Sequence, residues 1–283
     1  MKPMSDQGFF ECLRELFPSL ELNPEEITLF LKNVGLMNPG GSFYSEREKK
    51  AYEIAYFSSH VVKAVSKISR KRDVTLLDCG CGRSYLSFFV DYILKKLRRD
   101  VEFIGVDSNP ELIETCRNIK DRLGFTNMQF FQSDVIDFAP GEKPNIVCAL
   151  HACDTATDEA IALGIKLEAR YIMAAPCCQR QVVRQVGRIS KKIPAMMPLV
   201  NTKISKEYVG VALTETLRKL ALESYGYKVD MFEFISTRHT PKNVLLRAQK
   251  KRTYNKESLE MYRELRDHFN VKPKIEEYLP DLA

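Results

Sequence analysis

The 283-residue sequence contains no apolar run close to the roughly 20 residues that a membrane-spanning helix needs. Its first residues, MKPMSDQGFFECLREL, lack the basic segment and following apolar core of a secretory signal. Internal repeats and low-complexity segments are also missing from the sequence. Hydrophobic residues make up 45% and charged residues 28%, which is typical of a globular protein with a sizeable core. We therefore expect a soluble protein of the cytoplasm.

The eight cysteines do not indicate a disulfide framework. The chain is long and rich enough in core-forming residues to fold without covalent cross-links. Most of the cysteines lie within or at the end of apolar runs, which is typical of reduced thiols in a cytosolic protein. We expect free cysteines.

The basic residues are concentrated in runs, and the formal net charge is +6. Four runs stand out: SKISRKR (66–72), KKLRR (95–99), RQVVRQVGRISKK (180–192) and RAQKKR (247–252). Each run alone is typical of a solvated helix face or turn. Together they favour a polyanionic partner, such as RNA.

From Val74 onward, strand patterns alternate with helical patterns. Strands are predicted at VTLLDCG, VEFIGVD, MQFFQSD, NIVCALH, YIMAAP, VDMFEFIS and NVLLRAQ, and helices near 84–98, 110–123, 157–168, 179–192 and 207–225. Such alternation predicts a parallel sheet with helices on both faces. Only TRHTPK separates the last two strands, so they should form an antiparallel hairpin.

Helical patterns flank this α/β region. Residues 1–45 are predicted to form a small helical extension, in which Asn23 is an N-cap and Pro24 takes the first helical position. We assign residues 46–250 to the α/β domain and residues 251–283 to a C-terminal helical tail.

Five helix-linked parallel strands followed by a hairpin resemble the Rossmann-like fold of class I S-adenosylmethionine (SAM)-dependent methyltransferases. The resemblance implies a seven-stranded, mostly parallel sheet with one antiparallel strand. It also implies SAM as the cofactor.

The segment LLDCGCGRSYLS would form the first strand-to-helix turn, with Asp78, Gly80 and Gly82 in it. Glycines let the backbone turn tightly and approach a ligand, and the following helix presents its N-terminus. The segment resembles the acidic residue and G-x-G with which class I methyltransferases bind SAM, with Ser84 where a third glycine is usual. Reductases with a nicotinamide cofactor have a similar turn, but the terminal hairpin favours the methyltransferase.

Acidic residues also end the next two strands. By the resemblance, Asp107, with Ser108 beside it, would bind the ribose hydroxyls of SAM. Asp134 would accept the adenine amino group, and Val135 would lie beside the ring. With Asp78, these acids fall at the carboxyl ends of strands, where open α/β sheets bind ligands. Each of these acids alone could simply be a helix N-cap. The cofactor site is predicted because all three lie at the same edge of the sheet.

The fourth and fifth strands both end abruptly in polar residues, in ALHACDTATD (149–158) and RYIMAAPCCQ (170–179). In the methyltransferase topology these strands are neighbours, so their ends should lie beside the departing methyl group of SAM. The segment STRHTPKN (236–243) should rise on the same side. The candidate residues at these ends are His151, Cys153, Asp154, Cys177, Cys178, Gln179, His239, Thr240, Lys242 and Asn243. Of these, His239, Lys242 and Asn243 are predicted to bind the substrate.

Three segments, LHACDTATD, APCCQ and RHTPKN-x-L-x-RA, together resemble the Methyltransf_32 family, which includes bacterial proteins and the eukaryotic methyltransferase-like 25 group. The likeness covers about residues 44–250. The segment EREKKAYEI resembles the KK-x-H-E helix of that family, with Tyr52 in place of a common histidine. It implies that Lys49 or Lys50 binds the cofactor carboxylate or a substrate phosphate. A looser likeness extends to tRNA 2′-O-methyltransferases of the Trm13 type, which have a C-C-H where Gln179 stands here.

Three chemistries fit the polar strand ends. In the first, His151 or Asp154 acts as a general base or positions a hydroxyl or amine for in-line attack on the methyl group. In the second, Cys177 or Cys178 adds to a pyrimidine ring and activates its carbon 5. In the third, His151, Cys153 and the two other cysteines bind zinc, although the spacing is not a standard zinc pattern. We prefer the three chemistries in the order given and therefore expect no bound metal. We also assign His151 and Lys50 to the cofactor site.

The same residues have structural interpretations. Cys177 and Cys178 suit the packing of small side chains under the cofactor, because free cysteine is commonly buried. Thr155 and Asp158 fit a capping box at the start of the next helix, and we prefer that role for them. For His151 and Asp154 we prefer a functional role.

The sequence therefore predicts a SAM-dependent methyltransferase that acts on RNA, either tRNA or rRNA. Two alternatives stay open. The fold also suits methylation of a protein or a small molecule, because the fold does not fix the substrate. The chain could instead be a SAM-binding partner module without turnover.

Overall fold

The structure, a computed structural model, describes residues 6–152, 154–186 and 197–283. Cys153 and residues 187–192 of the third basic run lie outside the described residues. The chain divides into two compact units, Met1–Asp134 with Glu233–Asn243 and Val135–Phe232 with Val244–Ala283. The domain limits drawn from the sequence stay a prediction. Across the described ranges, no helix has the length and apolarity needed to cross a membrane.

The first unit contains five helices and three strands among its described residues. They are α1 (Asp6–Leu16), α2 (Pro24–Asn33), α3 (Ser45–Ser66), β1 (Thr75–Cys79), α4 (Tyr85–Lys96), β2 (Glu102–Asp107), α5 (Pro110–Leu123) and β3 (Met128–Gln132). Strand β1 pairs with β2, and β2 with β3, both in parallel. The helical extension predicted at the N-terminus is present as α1 and α2.

The second unit contains the remaining helices and strands. They are β4 (Ile146–Leu150), α6 (Thr155–Lys166), β5 (Tyr171–Ala175), α7 (Arg180–Val186), α8 (Met197–Val200), α9 (Lys203–Ser224), β6 (Tyr227–Glu233, whose last residue counts with the first unit), β7 (Val244–Lys250), α10 (Lys256–Phe269) and α11 (Ile275–Tyr278). Strand β4 pairs in parallel with β5, and β5 pairs antiparallel with β7.

The described strands form one sheet of seven in the order β3-β2-β1-β4-β5-β7-β6. This confirms the mixed sheet with an antiparallel strand that the alternating pattern predicts. Strands β1 and β5 are buried along their whole length, and β4 is buried up to Leu150. Their near-continuous apolar runs are typical of parallel strands covered on both faces.

Asparagine side chains begin two of the helices. The side chain of Asn23 accepts a hydrogen bond from the amide of Glu25, and Pro24 opens α2 as predicted. Asn109 caps α5 in the same way, by accepting from the amides of Glu111 and Leu112. These caps satisfy amides that a helix leaves without partners at its start.

Several element boundaries differ from the sequence prediction, among them those of α9 and β6. Helix α9 begins at Lys203 because Thr202 caps it by accepting from the amide of Ser205. Strand β6 begins at Tyr227, directly after Gly226, whose φ of 84° ends the preceding helical turn. The described part of the helix predicted at 179–192 is α7, and residues beyond Val186 lie outside the description until Met197.

Candidate active site

The turn after β1 has a left-handed backbone at three positions. Gly80, Gly82 and Ser84 have φ values of 65°, 57° and 53°. Glycine reaches this region without strain, whereas Ser84 adopts it as the N-cap of α4. A Cβ at Gly82 would meet no atom within 4 Å, so protein atoms do not crowd that side of the turn. The turn therefore fits the close approach of a nucleoside cofactor.

Asp107 and Cys116 hold Gly82 from both sides. The amide of Gly82 donates to Oδ2 of Asp107 at 2.9 Å, and the thiol of Cys116 donates to the Gly82 carbonyl at 3.2 Å. The other carboxylate oxygen of Asp107 accepts from the amide of Asn109 at 2.9 Å. Asp107 thus links the turn after β1 to the start of α5, while the next residue, Ser108, is exposed.

Asp78 lies beneath the same turn and is only 2% exposed. Its Oδ2 accepts from the hydroxyl of Ser87 at 2.8 Å. Burial raises the pKa of Asp78 to about 7, and the charge of Asp107 adds to the increase, while the hydrogen bond from Ser87 opposes it. This placement favours support of the turn, and direct cofactor contact by Asp78 stays a prediction.

Asp134 follows β3 and is exposed, and Val135 after it is buried. The hydroxyl of Ser133 donates to the carbonyl of Asp134 at 2.9 Å, and the amide of Ser133 donates to the carbonyl of Asp107 at 3.1 Å. Ser133 therefore links Asp107, at the end of β2, to Asp134, two residues after β3. No contact in the structure tests their predicted roles toward ribose and adenine.

Lys50 lies on α3 among other cations. Its ammonium lies 5.3 Å from the centre of the Tyr85 ring at the start of α4. Desolvation lowers the pKa of Lys50 and outweighs the opposite effect of Glu53, while Arg83 and Arg47 lower it further. Although surrounding protein atoms partly desolvate the Lys50 ammonium, the side chains of Lys49 and Lys50 are both exposed, so an anionic group can reach either one.

The loop that follows β6 is anchored to α3 by a ring contact. His239 stacks on Tyr52 with ring centres 4.5 Å apart and 27° between the planes. Burial lowers the pKa of His239. Buried Asn243 donates to the carbonyl of Ile235 at 3.0 Å, so its side-chain amide closes the loop, whereas Lys242 is exposed.

In the second unit, the ends of β4 and β5 meet at His151 and Cys177. The His151 amide donates to the carbonyl of Ala175 at 3.2 Å. The buried Cys177 thiol donates to the His151 carbonyl at 3.8 Å and lies 3.9 Å from the sulfur of Cys178. The predicted adjacency of these two strand ends is present, and Cys178 is the more exposed of the two thiols.

Asp154 has a strained backbone. Its φ of 51° and ψ of −111° are those of the first central position of a type II′ turn, which normally takes glycine. Such strain costs about 1–3 kcal/mol and is common at functional sites. Oδ1 of Asp154 accepts from the amide of Gln181 at 3.0 Å. The carboxylate is therefore oriented by the first turn of α7.

The sequence interpretation of Asp158 as part of a capping box is wrong. Asp158 is buried, and its Oδ1 accepts from Nε of Arg218 at 2.7 Å. Arg218 also donates to Glu215 at 3.0 Å and to the Asp154 carbonyl at 2.8 Å. Sequence reasoning missed both residues of α9. Their one visible signal is that an acid and a base lie three residues apart on the face of α9 that also carries the buried Leu222.

No group of three or more His, Cys, Asp or Glu side chains among the described residues is placed to hold a metal ion. Cys153, one of the four ligands considered for zinc, lies outside that description. The described cysteines are all free thiols, as expected.

The chain is similar in fold to known methyltransferases. The SAH-bound methyltransferase PaMTH1 of Podospora anserina is 10% identical, with a TM-score of 0.50 and coverage of 89% of this chain and 99% of that one. Magnesium protoporphyrin IX methyltransferase (ChlM) of Synechocystis PCC 6803, with bound SAH, is 15% identical, with a TM-score of 0.45 and coverage of 86% and 100%. No curated protein matches the chain significantly.

Residues 49–185 match the family model Methyltransf_32, described as a methyltransferase domain. The matched segment contains both the turn at Gly80–Gly82 and the polar ends of β4 and β5. Since the match agrees with the fold and with a turn that fits the cofactor, the chain is a SAM-dependent methyltransferase of the class I fold, and its residues 49–185 are similar to this methyltransferase-domain family.

Proposed function

We propose that this methyltransferase acts on RNA, with tRNA or rRNA as the substrate and the cytoplasm as its location. The observation that carries the proposal is a pair of exposed arginines on α7. Arg180 and Arg184 lie one helical turn apart, and Arg180 directly follows Gln179 at the end of the Cys177–Gln179 segment. Phosphate groups of a bound strand are the natural partners of such a pair.

An exposed aromatic residue on α9 supports the same substrate. Helices α7 and α9 pack closely, since a Cβ on Gly210 would lie 2.6 Å from Val183. Two residues before this crossing, Tyr208 is 75% exposed, and Lys203 and Lys206 precede it on α9. Aromatic rings beside cations suit unpaired nucleotides, whose bases stack while their phosphates pair with the cations.

Asp154 is the proposed catalytic residue. Bound SAM supplies an electrophilic methyl group. The Asp154 carboxylate, held at Oδ1 by the Gln181 amide, orients a hydroxyl or amine of the acceptor nucleotide and takes its proton. Alignment for in-line attack supplies most of the rate effect. His151 lies three residues before Asp154, at the end of the same strand β4, and flanks the acceptor. Cys177 keeps a structural role because its buried thiol already donates to the His151 carbonyl.

Transfer of a labelled methyl group tests the substrate. Purified enzyme and labelled SAM are mixed separately with RNA, protein and metabolite fractions of the same cells. We expect label in RNA and a steep loss of RNA affinity as salt rises. Label in protein or metabolites alone would support the alternative substrates. Cofactor binding without label in any fraction would favour a partner module.

Charge-reversed variants test whether the exposed arginines of α7 bind RNA. Arg180→Glu with Arg184→Glu should weaken RNA binding at least about tenfold at moderate salt. The matched control, Lys228→Glu with Lys256→Glu, makes the same change in net charge at exposed positions outside the four basic runs. Equal losses in the two double variants would contradict a specific role for α7.

A further inference from the structure

A buried charged cluster in the second unit contains Arg218, Asp158, Glu215 and Gln179. Arg218 is 2% exposed, and its guanidinium donates in three directions. Nε donates to Asp158 at 2.7 Å, Nη1 to Glu215 at 3.0 Å, and Nη2 to the backbone carbonyl of Asp154 at 2.8 Å. A planar guanidinium fixes three acceptors at once, which a lysine ammonium on a flexible stem cannot reproduce.

The cluster also reaches the loop after β5. The side-chain amide of Gln179 is buried and donates to Oε1 of Glu215 at 2.8 Å, the same oxygen that accepts from Arg218. Gln179 directly follows Cys178. One pair of residues on α9, Glu215 and Arg218, is therefore bonded to both loops that carry the candidate catalytic residues of this unit.

Burying these charges is expensive for the fold. Burial raises the pKa of both Asp158 and Glu215, and the charge of Arg218 opposes the increase in each case. Apolar residues of similar volume often stabilise a protein as well as a buried ion pair or better. Stability alone therefore does not account for a cluster of one cation and two acids in the core.

The bonds of the cluster end on a strained residue. Asp154 has the glycine-like backbone described above, and such a conformation persists only where its surroundings over-determine it. Arg218 holds its carbonyl and the Gln181 amide holds its carboxylate. With both groups held, the direction of the carboxylate is set.

We propose that Arg218 is a positioning residue for methyl transfer. Together with Glu215 it holds the loops after β4 and β5 in the conformation that presents Asp154 to the acceptor. This inference rests on the proposed role of Asp154 and is independent of which acceptor fraction the enzyme labels.

Two variants of the cluster and two controls on the same helix test the inference. Arg218→Lys keeps the positive charge but loses the planar guanidinium that donates to three acceptors. Glu215→Leu removes the hydrogen bond to Gln179. The controls are Lys219→Ala and Glu223→Leu, which break a partly exposed ion pair of 2.9 Å one turn away. SAM affinity and cooperative unfolding are measured for every variant, so that turnover is compared between folded, cofactor-binding proteins.

Two readouts do not depend on activity. In Arg218→Lys, we expect hydrogen exchange at the Gln181 amide to become at least about tenfold faster, since its partner Asp154 is no longer fixed. In Glu215→Leu, we expect alkylation of Cys178 by iodoacetamide to accelerate by about the same factor because Gln179 is released. Both rates should stay at the wild-type value in the two controls.

The third readout is methyl transfer into whichever fraction the wild-type enzyme labels. Both cluster variants should lose about tenfold or more in kcat with SAM affinity within about twofold of wild type. Unchanged exchange and alkylation, or faster exchange with unchanged kcat, would each overturn the inference. So would failure of both variants to fold, because the cluster would then be a requirement of folding itself. If RNA carries no label but another fraction does, the proposed substrate is wrong and this inference still stands.

Discussion

The amide of Gly82 lies 2.9 Å from Oδ2 of Asp107, so the acid that ends β2 holds the glycine turn that follows β1. The second oxygen of the same carboxylate holds the amide of Asn109 at the start of α5. One side chain therefore sets the backbone at two strand-to-helix turns of the first unit.

Asp107→Ala should weaken SAM binding at least about a hundredfold, because two hydrogen bonds to a charged group are lost, each contributing about 1.5–3 kcal/mol. Isothermal titration calorimetry measures the change. Asp121→Ala removes an acid from the exposed face of α5 and serves as the control. Equal SAM affinity in both variants would show that Asp107 does not organise the cofactor site.

Replacement of Asp154 separates the effect of its backbone strain on stability from the effect of its carboxylate on turnover. Asp154→Gly removes the backbone strain, which should offset the lost hydrogen bond to Gln181 and leave the free energy of unfolding within about 1 kcal/mol of wild type. Turnover should fall at least about a hundredfold, since a general base contributes about that much. Asp154→Asn keeps the side-chain shape and should lose turnover as well. Full turnover in either variant would exclude Asp154 as the base.

Asp78 makes stability depend on pH. Its pKa is about 7 in the folded chain, well above the ordinary aspartate value of 3.8, so the folded state holds the proton more tightly than the unfolded state. The stabilisation from Asp78 is complete at acidic pH and is lost as pH rises through about 7. Between pH 5 and pH 8 the free energy of unfolding should fall by more than about 1.4 kcal/mol from this residue, the value of one pKa unit. Denaturant titrations of wild type and Asp78→Asn measure it, and an equal pH dependence in both would refute the assignment.

Substitutions of Cys177 and Cys178 distinguish covalent catalysis from catalysis by alignment of the acceptor. If Asp154 acts by alignment, Cys178→Ser should keep methyl-transfer rates within about threefold of wild type. A nucleophilic cysteine would instead lose about a thousandfold or more, because a serine hydroxyl is far less acidic and nucleophilic than the thiol. Cys177→Ser should change the rate little, since a hydroxyl can also donate to the His151 carbonyl. Single-turnover measurements with labelled SAM decide between them.

The sequence predicts the features of this molecule whose signals are local. Asn23 and Pro24 specify the start of α2 through neighbouring residues, and the buried strands appear as continuous apolar runs. The glycine turn is equally visible, because only a few residue types tolerate the backbone of Gly80 and Gly82.

The Arg218 cluster could not be predicted in this way. Asp158 and Arg218 are 60 positions apart, so their pairing depends on how α9 packs against α6. A local rule had assigned Asp158 to a helix cap three residues after Thr155, and the long-range ion pair overrides it. The strained backbone of Asp154 left no sequence signal either, because the position that normally requires glycine holds an acid.

The first unit is not continuous along the chain, and this limits how it can be exchanged for the corresponding unit of a similar protein. Its last segment, Glu233–Asn243, packs on α3 through Phe234 against Phe57 and through His239 against Tyr52. A fragment that stops at Asp134 would leave the aromatic face of α3 uncovered. A chimera that exchanges this unit whole therefore needs three crossovers, after Asp134, before Glu233 and after Asn243. A single crossover after Asp134 would separate Tyr52 from the histidine with which it stacks.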